Sequence, residues 1–140
     1  MNEKILNLSK ETKDFFKEWN VLAFALNAIM PRLPFYEREI WSCYLGMNIG
    51  YEEAGKGNEF LRPVIILKKF NNKMCWIIPL TSNLRKSEHF FIFQFGKGKP
   101  SAAILSQLRI IDVQRLHKTI GFMKRRDFFE LKKRLTTLLS

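Results

Sequence analysis

The chain has 140 residues and a formal net charge of +11. One domain is the simplest reading of that length, and a domain near this size buries roughly 68–70% of the surface its unfolded chain exposes. It therefore needs neither disulfides nor zinc to fold. Cys43 and Cys75 lie inside apolar runs, and the two histidines, His89 and His117, stand far apart, so no metal-binding spacing can be composed from them.

The excess charge is not a basic tail. Residues 1–36 carry five Lys/Arg against four Asp/Glu, and residues 37–140 carry nineteen against nine. A basic domain body points to a polyanion partner, RNA or DNA first and an acidic protein second. The polar start, Met1-Asn2-Glu3-Lys4, has no signal-peptide character. The longest apolar stretch, Val21 to Met30, falls well short of the about 20 residues of a membrane helix. The expectation is a cytoplasmic protein without a membrane partner.

In chain order, Asn7 to Lys17 is rich in helix formers, with Phe15, Phe16 and Trp19 as apolar anchors. Val21 to Met30 continues that helix or forms a second, and Pro31 and Pro34 stop it. A helical extension over 1–36 therefore precedes a main domain over 37–140. Glu37 to Leu45 reads as a strand, and glycine-rich Gly46 to Glu59 as a long loop. Arg62–Lys69 and Met74–Leu80 read as a hairpin around Phe70-Asn71-Asn72-Lys73. Asn83 to Glu88 is a charged loop and His89 to Phe95 an aromatic strand. Short strands follow at Ala102–Leu105, Leu108–Ile111 and Arg115–Ile120, with Gly121 ending them. From about Arg126, Phe128, Leu131, Leu135 and Leu138 recur at helical spacing. Short strands with a terminal helix suggest a mainly β fold with α, a strongly curved, partly open barrel.

The hairpin carries the chemistry. It places Arg62, at the start of one strand, beside Thr81, at the end of the other. Pro63 biases Arg62 towards an extended backbone. A permanent cation beside a hydroxyl is equipment for gripping a phosphate. In the long loop, Tyr51 could stack on a base, and Glu52 could read a base edge or accept a proton. The loop lacks the Gly-Lys-Ser/Thr ending of a nucleotide-binding P-loop. The phenylalanines of the aromatic strand read chiefly as core.

These pieces, in this order, resemble the MazF/PemK family of toxin ribonucleases. The resemblance runs from about Glu37 to the C-terminus. It rests on Arg38-Glu39-Ile40-Trp41; on Gly50-Tyr51-Glu52-Glu53-Ala54-Gly55, similar to the family's Gly-x-Glu-Gln-x-Gly; and on Arg62-Pro63-Val64-Ile65-Ile66. Pro79-Leu80-Thr81-Ser82 and Gln107-Leu108-Arg109-Ile110-Ile111-Asp112 with Arg115-Leu116 complete it. The resemblance implies an SH3-like barrel with a C-terminal helix, usually a homodimer. It implies the toxin of a type II toxin–antitoxin system, cutting single-stranded RNA without metal or other cofactor to 2′,3′-cyclic phosphate and 5′-OH ends. It also implies an acidic cognate antitoxin, together with which such toxins bind DNA.

Carried onto this chain, Arg62 and Thr81 are the expected catalytic pair, with Glu52 the candidate base. Tyr51, Glu53, Lys56, Ser82, Gln107 and Arg109 are expected to contact RNA. The chain departs from some members at Tyr51, Ile104 and Ser106, where they carry ionisable groups, and in the longer stretch Lys56 to Leu61. The alternatives are a non-catalytic RNA- or protein-binding module of the same fold and a gyrase-directed toxin.

Overall fold

The computed structural model describes residues 10–57 and 59–140. A 20-residue helix, α1 (Lys10–Ile29), opens it. Strands β1 (Glu39–Tyr44), β2 (Leu61–Lys69), β3 (Met74–Thr81), β4 (Phe90–Phe93), β5 (Ser101–Ile104), β6 (Arg109–Asp112) and β7 (Leu116–Phe122) follow, and α2 (Arg125–Leu139) closes the chain. The sequence reading of one or two N-terminal helices resolves to one. Residues 7–9 of the expected helix lie outside the described residues.

All strand pairings are antiparallel, in the order β4-β5-β3-β2-β1-β7, with β6 also on β3. β3 is the hub. One edge pairs β2; the other pairs β6 over Met74 to Ile77 and β5 over Leu80 and Thr81. The gap between them falls at Ile78-Pro79, where proline has no N–H to lose from the ladder. A 3₁₀ turn, Leu105–Gln107, fills this gap in the sequence between β5 and β6. The sheet is therefore open, not a closed barrel. Register shifts between β1 and β7 and between β2 and β3 add twist.

Both faces of the central strands are buried, which is why β2 and β3 read as continuous apolar runs and not as alternations. On one face Ile40, Ile65, Leu67, Ile78 and Leu80 meet Phe91, Phe93 and the α2 residues Phe128, Leu131 and Leu135. On the other, Trp41, Cys43, Val64, Ile66, Cys75 and Ile77 meet Ile111, Val113 and Leu116. Neither α1 nor α2 contributes to this second cluster; β6, the 3₁₀ turn at Val113–Arg115 and β7 cover it. Phe91 and Phe93 are thus core, as the sequence suggested. The strand expected to stop before Gly121 runs on to Phe122; the Phe95 ring covers that glycine, holding the chain extended.

The two cysteines are buried, and burial pushes each thiol up to about 12, so neither is a thiolate near neutral pH. No helix among the described residues is long and apolar enough to cross a membrane.

α1 lies on the domain through its Phe15/Trp19/Leu26 side. Phe15 and Trp19 pack on Phe60 with centroid distances of 6.2 and 5.7 Å. The Arg115 guanidinium stacks over Trp19. Beyond the helix, Arg32 forms a two-point ion pair with Asp112 at 3.1 and 2.8 Å. Phe16, expected as an anchor, is exposed, because it follows Phe15 by one position and so points about 100° away.

Candidate active site and nucleic-acid interface

The β2–β3 register pairs Val64 with Pro79, so the same phase carries Arg62 towards Thr81. The structure brings the two ends together, but the arginine does not face solvent. Arg62 is 8% exposed. Its Nε donates to the Ala54 carbonyl at 2.6 Å, Nη1 donates to the Leu80 carbonyl at 3.2 Å, and Nη2 lies 2.9 Å from a Glu53 carboxylate oxygen. Arg62 thus ties the long loop to the strand end next to Thr81. Five N–H donors are available to a guanidinium, and each of its three nitrogens already has a partner.

Two polar hollows open beside this tie. One is lined by Tyr51, Glu53, Thr81, Asn83, Arg85, Phe90, Ser106 and Gln107. The other is lined by Asn48, Glu52, Glu53, Pro79, Ser106, Gln107 and Arg109. Glu53, Ser106 and Gln107 are common to both. Arg62 lines neither, so Glu53, 27% exposed in its side chain, stands between the arginine and the open groove.

The loop over Arg62 is ordered by specific bonds. The Gly55 N–H donates to the Gly46 carbonyl at 2.8 Å, and the Asn48 amide donates to the Glu53 carbonyl. Lys56 and Leu61 form an antiparallel bridge. Gly55 is required: a Cβ there would fall 1.7 Å from the Phe60 carbonyl oxygen. Gln107 pins the loop tip from across the groove. Its Oε1 accepts from the Glu53 N–H at 3.3 Å, and its Nε2 donates to the Tyr51 carbonyl at 3.2 Å.

The residues named from sequence therefore fall into distinct positions. Thr81 lines the first hollow; its Oγ1 accepts from the Asn83 N–H at 3.1 Å, which leaves its own proton to donate. Glu52 lines the second hollow, with Oε1 accepting from the Ile49 N–H at 3.1 Å. Tyr51 is 99% exposed at the loop tip, its ring free to meet a ligand. Arg109 lines the second hollow. Gln107 spends its amide on the loop, and Glu53 its carboxylate on Arg62. Lys56 and Ser82 are exposed but line neither hollow.

Sequence reading passed over Arg85 and Asn83 and took Phe90 chiefly as core; all three line the hollow containing Thr81. Arg85 sat in a stretch read only as a charged loop. Its signal was a cation four residues beyond Thr81, close enough to fold back on that hydroxyl. The partner carbonyls of Arg62 left no signal, since backbone groups are the same at every position.

The fold and the groove together define a curved, open β domain with a basic-residue site at one strand end. The chain belongs to the PemK-like, MazF-like toxins of type II toxin–antitoxin systems, whose family model matches residues 37–139. α1 lies outside the matched region. No curated protein matches the chain. Among solved structures it is similar to the Mycobacterium tuberculosis toxin MazF-mt6, with 18% identity and a TM-score of 0.57, covering 73% of this chain and 96% of that one. It is similar to MazF from Deinococcus radiodurans, with 17% identity and a TM-score of 0.61, covering 78% and 98%. An endoribonuclease in complex with its cognate antitoxin, from a Mycobacterial species, matches at 13% identity and a TM-score of 0.58, covering 76% and 95%. At these identities the likeness is one of fold.

Proposed function

We propose that this toxin is an endoribonuclease that cuts single-stranded RNA at a short sequence, without metal, and is restrained by an acidic antitoxin. The reading rests on family membership and on one observation above all: a buried arginine, paired with Glu53, which itself lines two polar hollows, one of them containing Thr81. The net charge of +11 favours a polyanion. A homodimer in the cytoplasm, able to bind DNA with its antitoxin, belongs to the same proposal.

The chemistry follows from the groups present. The RNA 2′-oxygen attacks the adjacent phosphorus while the 5′-oxygen leaves. The products are a 2′,3′-cyclic phosphate and a 5′-OH. The entering phosphate exchanges with Glu53 for the guanidinium of Arg62, which then stabilises the charge that builds on the phosphorane. Thr81 donates a hydrogen bond to a non-bridging oxygen. Glu53, released beside the reacting atoms, takes the 2′-OH proton, and the leaving 5′-oxygen collects one from water. Glu52 sits in the neighbouring hollow, on the other side of the Gln107 strut from Thr81, and is the second candidate base. Arg85 and Arg109 hold the flanking phosphates, and Tyr51 stacks on a base. Lys56 and Ser82 meet RNA only at the rim.

The test is to incubate the purified full-length protein with RNA in EDTA and map the new ends. Cyclic-phosphate and 5′-OH ends are expected. Intact RNA would favour a non-catalytic module, or, with gyrase inhibition, a gyrase-directed toxin. Loss of cutting in EDTA, or 5′-phosphate ends, would contradict the mechanism.

A further inference from the structure

The long loop that brings Glu53 and Ala54 to Arg62 is gripped at both ends by the helix that lies outside the family match. At its start is Gly46, with φ of +74°, where an added Cβ would fall 2.1 Å from the Trp19 ring. At its end is Phe60, a bulky residue held at φ of 57°, an uncommon conformation that surrounding structure must hold in place. Phe15 and Trp19 pack on that ring. The Phe60 carbonyl in turn accepts from the N–H groups of Leu45 and Gly46 at 3.1 and 3.3 Å, so the two ends close on each other beneath Trp19. Arg62 follows Phe60 by two residues.

The far end of α1 is fastened separately. The Gln114 side-chain amide lies within 3.1, 3.3 and 2.9 Å of the Leu26, Asn27 and Met30 carbonyls. The Leu26 carbonyl also accepts from the Met30 N–H at 3.1 Å, while Asn27 lies in the last turn, where carbonyls lack intrahelical donors. Arg115, stacked over Trp19, also donates to the Tyr44 carbonyl at 2.9 Å, at the end of β1.

From this we infer that α1 is a clamp that positions the site loop, with Trp19 as its positioning residue. Docked, α1 holds Gly46 and Phe60 together and so keeps Ala54 and Glu53 over Arg62. Undocked, it releases the loop without unfolding the sheet, because it is held through the loop ends, Gln114 and Arg115, and no α1 residue belongs to either core cluster. The RNA-cleavage consequence rests on the function proposed above; the mechanical consequence does not.

Lys56 is the only tryptic site between Gly46 and Glu59, and its backbone is bridged to Leu61 while the loop is closed. Limited trypsin digestion of the full-length protein therefore reads loop closure independently of RNA. Trp19→Ala is expected to speed nicking after Lys56 by about tenfold or more, as opening becomes cheaper, while Trp19→Phe stays near wild type. Gln114→Ala, which touches no loop residue, is expected to give the same direction of change, and it carries the test should Trp19→Ala fail to fold. RNA cleavage by the same variants should fall mainly in kcat. Nicking at the wild-type rate in folded Trp19→Ala or Gln114→Ala would overturn the clamp. If the wild type does not cut RNA, the nicking rates still decide the inference. Faster nicking with unchanged RNA cleavage would remove the positioning role.

Discussion

Two parts of the molecule meet at Arg62 and are held by different forces. The framework of β2, β3 and α2 is held by apolar burial: Ile65, Ile78 and Leu80 pack with Phe128, Leu131 and Leu135. The layer laid on it, comprising residues 46–57, 59, 60 and α1, is held mainly by single hydrogen bonds and ring contacts, with Phe60 and Leu26 as its buried apolar side chains. The framework fixes the Leu80 carbonyl and Thr81. The layer supplies Glu53 and the Ala54 carbonyl. Arg62 bonds to both, so one side of its environment is rigid and the other is exchangeable. The proposed exchange of phosphate for carboxylate at Arg62 would depend on this inequality.

Breaking the framework should have the largest effect on stability. Leu131→Ala removes a fully buried α2 side chain and is expected to cost about 2–5 kcal/mol, visible as a large fall in melting temperature. Arg62 comes next and tests the junction. Arg62→Lys keeps the charge but loses the fork, and single-turnover RNA cleavage is expected to drop by at least about a hundredfold, with less loss of stability than Leu131→Ala. Arg62→Ala is a poorer test than Arg62→Lys. It strands Glu53 and two backbone carbonyls, so its lost activity would mix chemistry with a loosened loop.

Disturbing only the layer should have smaller effects. Gln107→Ala removes both bonds to the loop tip, each worth roughly 0.5–1.5 kcal/mol; RNA binding is expected to weaken by about fivefold as the loop loosens, and melting temperature to fall by only a few degrees, less than for Leu131→Ala. The smallest effect is at the Arg32–Asp112 tie. The hydrogen bond from Arg32, assisted by the Gln114 N–H, holds the Asp112 carboxyl below its ordinary range. A carboxylate lowered on folding adds stability above its unfolded pKa of about 3.9 and loses it as pH falls through the folded value. The pair is exposed to solvent, so its contribution is small. Asp112→Asn should melt slightly below wild type at neutral pH, and the difference should vanish at acid pH below the folded value.

The framework was legible in the sequence because burial on both faces writes long apolar runs, as in Val64 to Leu67 and Ile77 to Leu80. The Arg62–Thr81 juxtaposition followed from hairpin phase. The layer was less legible. Glu53 and Gln107 read as RNA contacts, yet each spends its polar group holding the loop or Arg62, and side-chain type does not say which partner a carboxylate or amide will find. Nothing local to Gly46, Phe60 or Trp19 showed that they would meet, since that contact spans the extension and the domain.

The most direct test of the exchange at Arg62 is Glu53→Gln, with RNA affinity and single-turnover cleavage measured side by side. Removing the competing charge while keeping the shape should tighten RNA binding by about three- to tenfold, or roughly 0.7–1.4 kcal/mol, and should slow cleavage by at least about a hundredfold through loss of the proton acceptor. Unchanged affinity together with wild-type cleavage would contradict both the exchange and the role of Glu53.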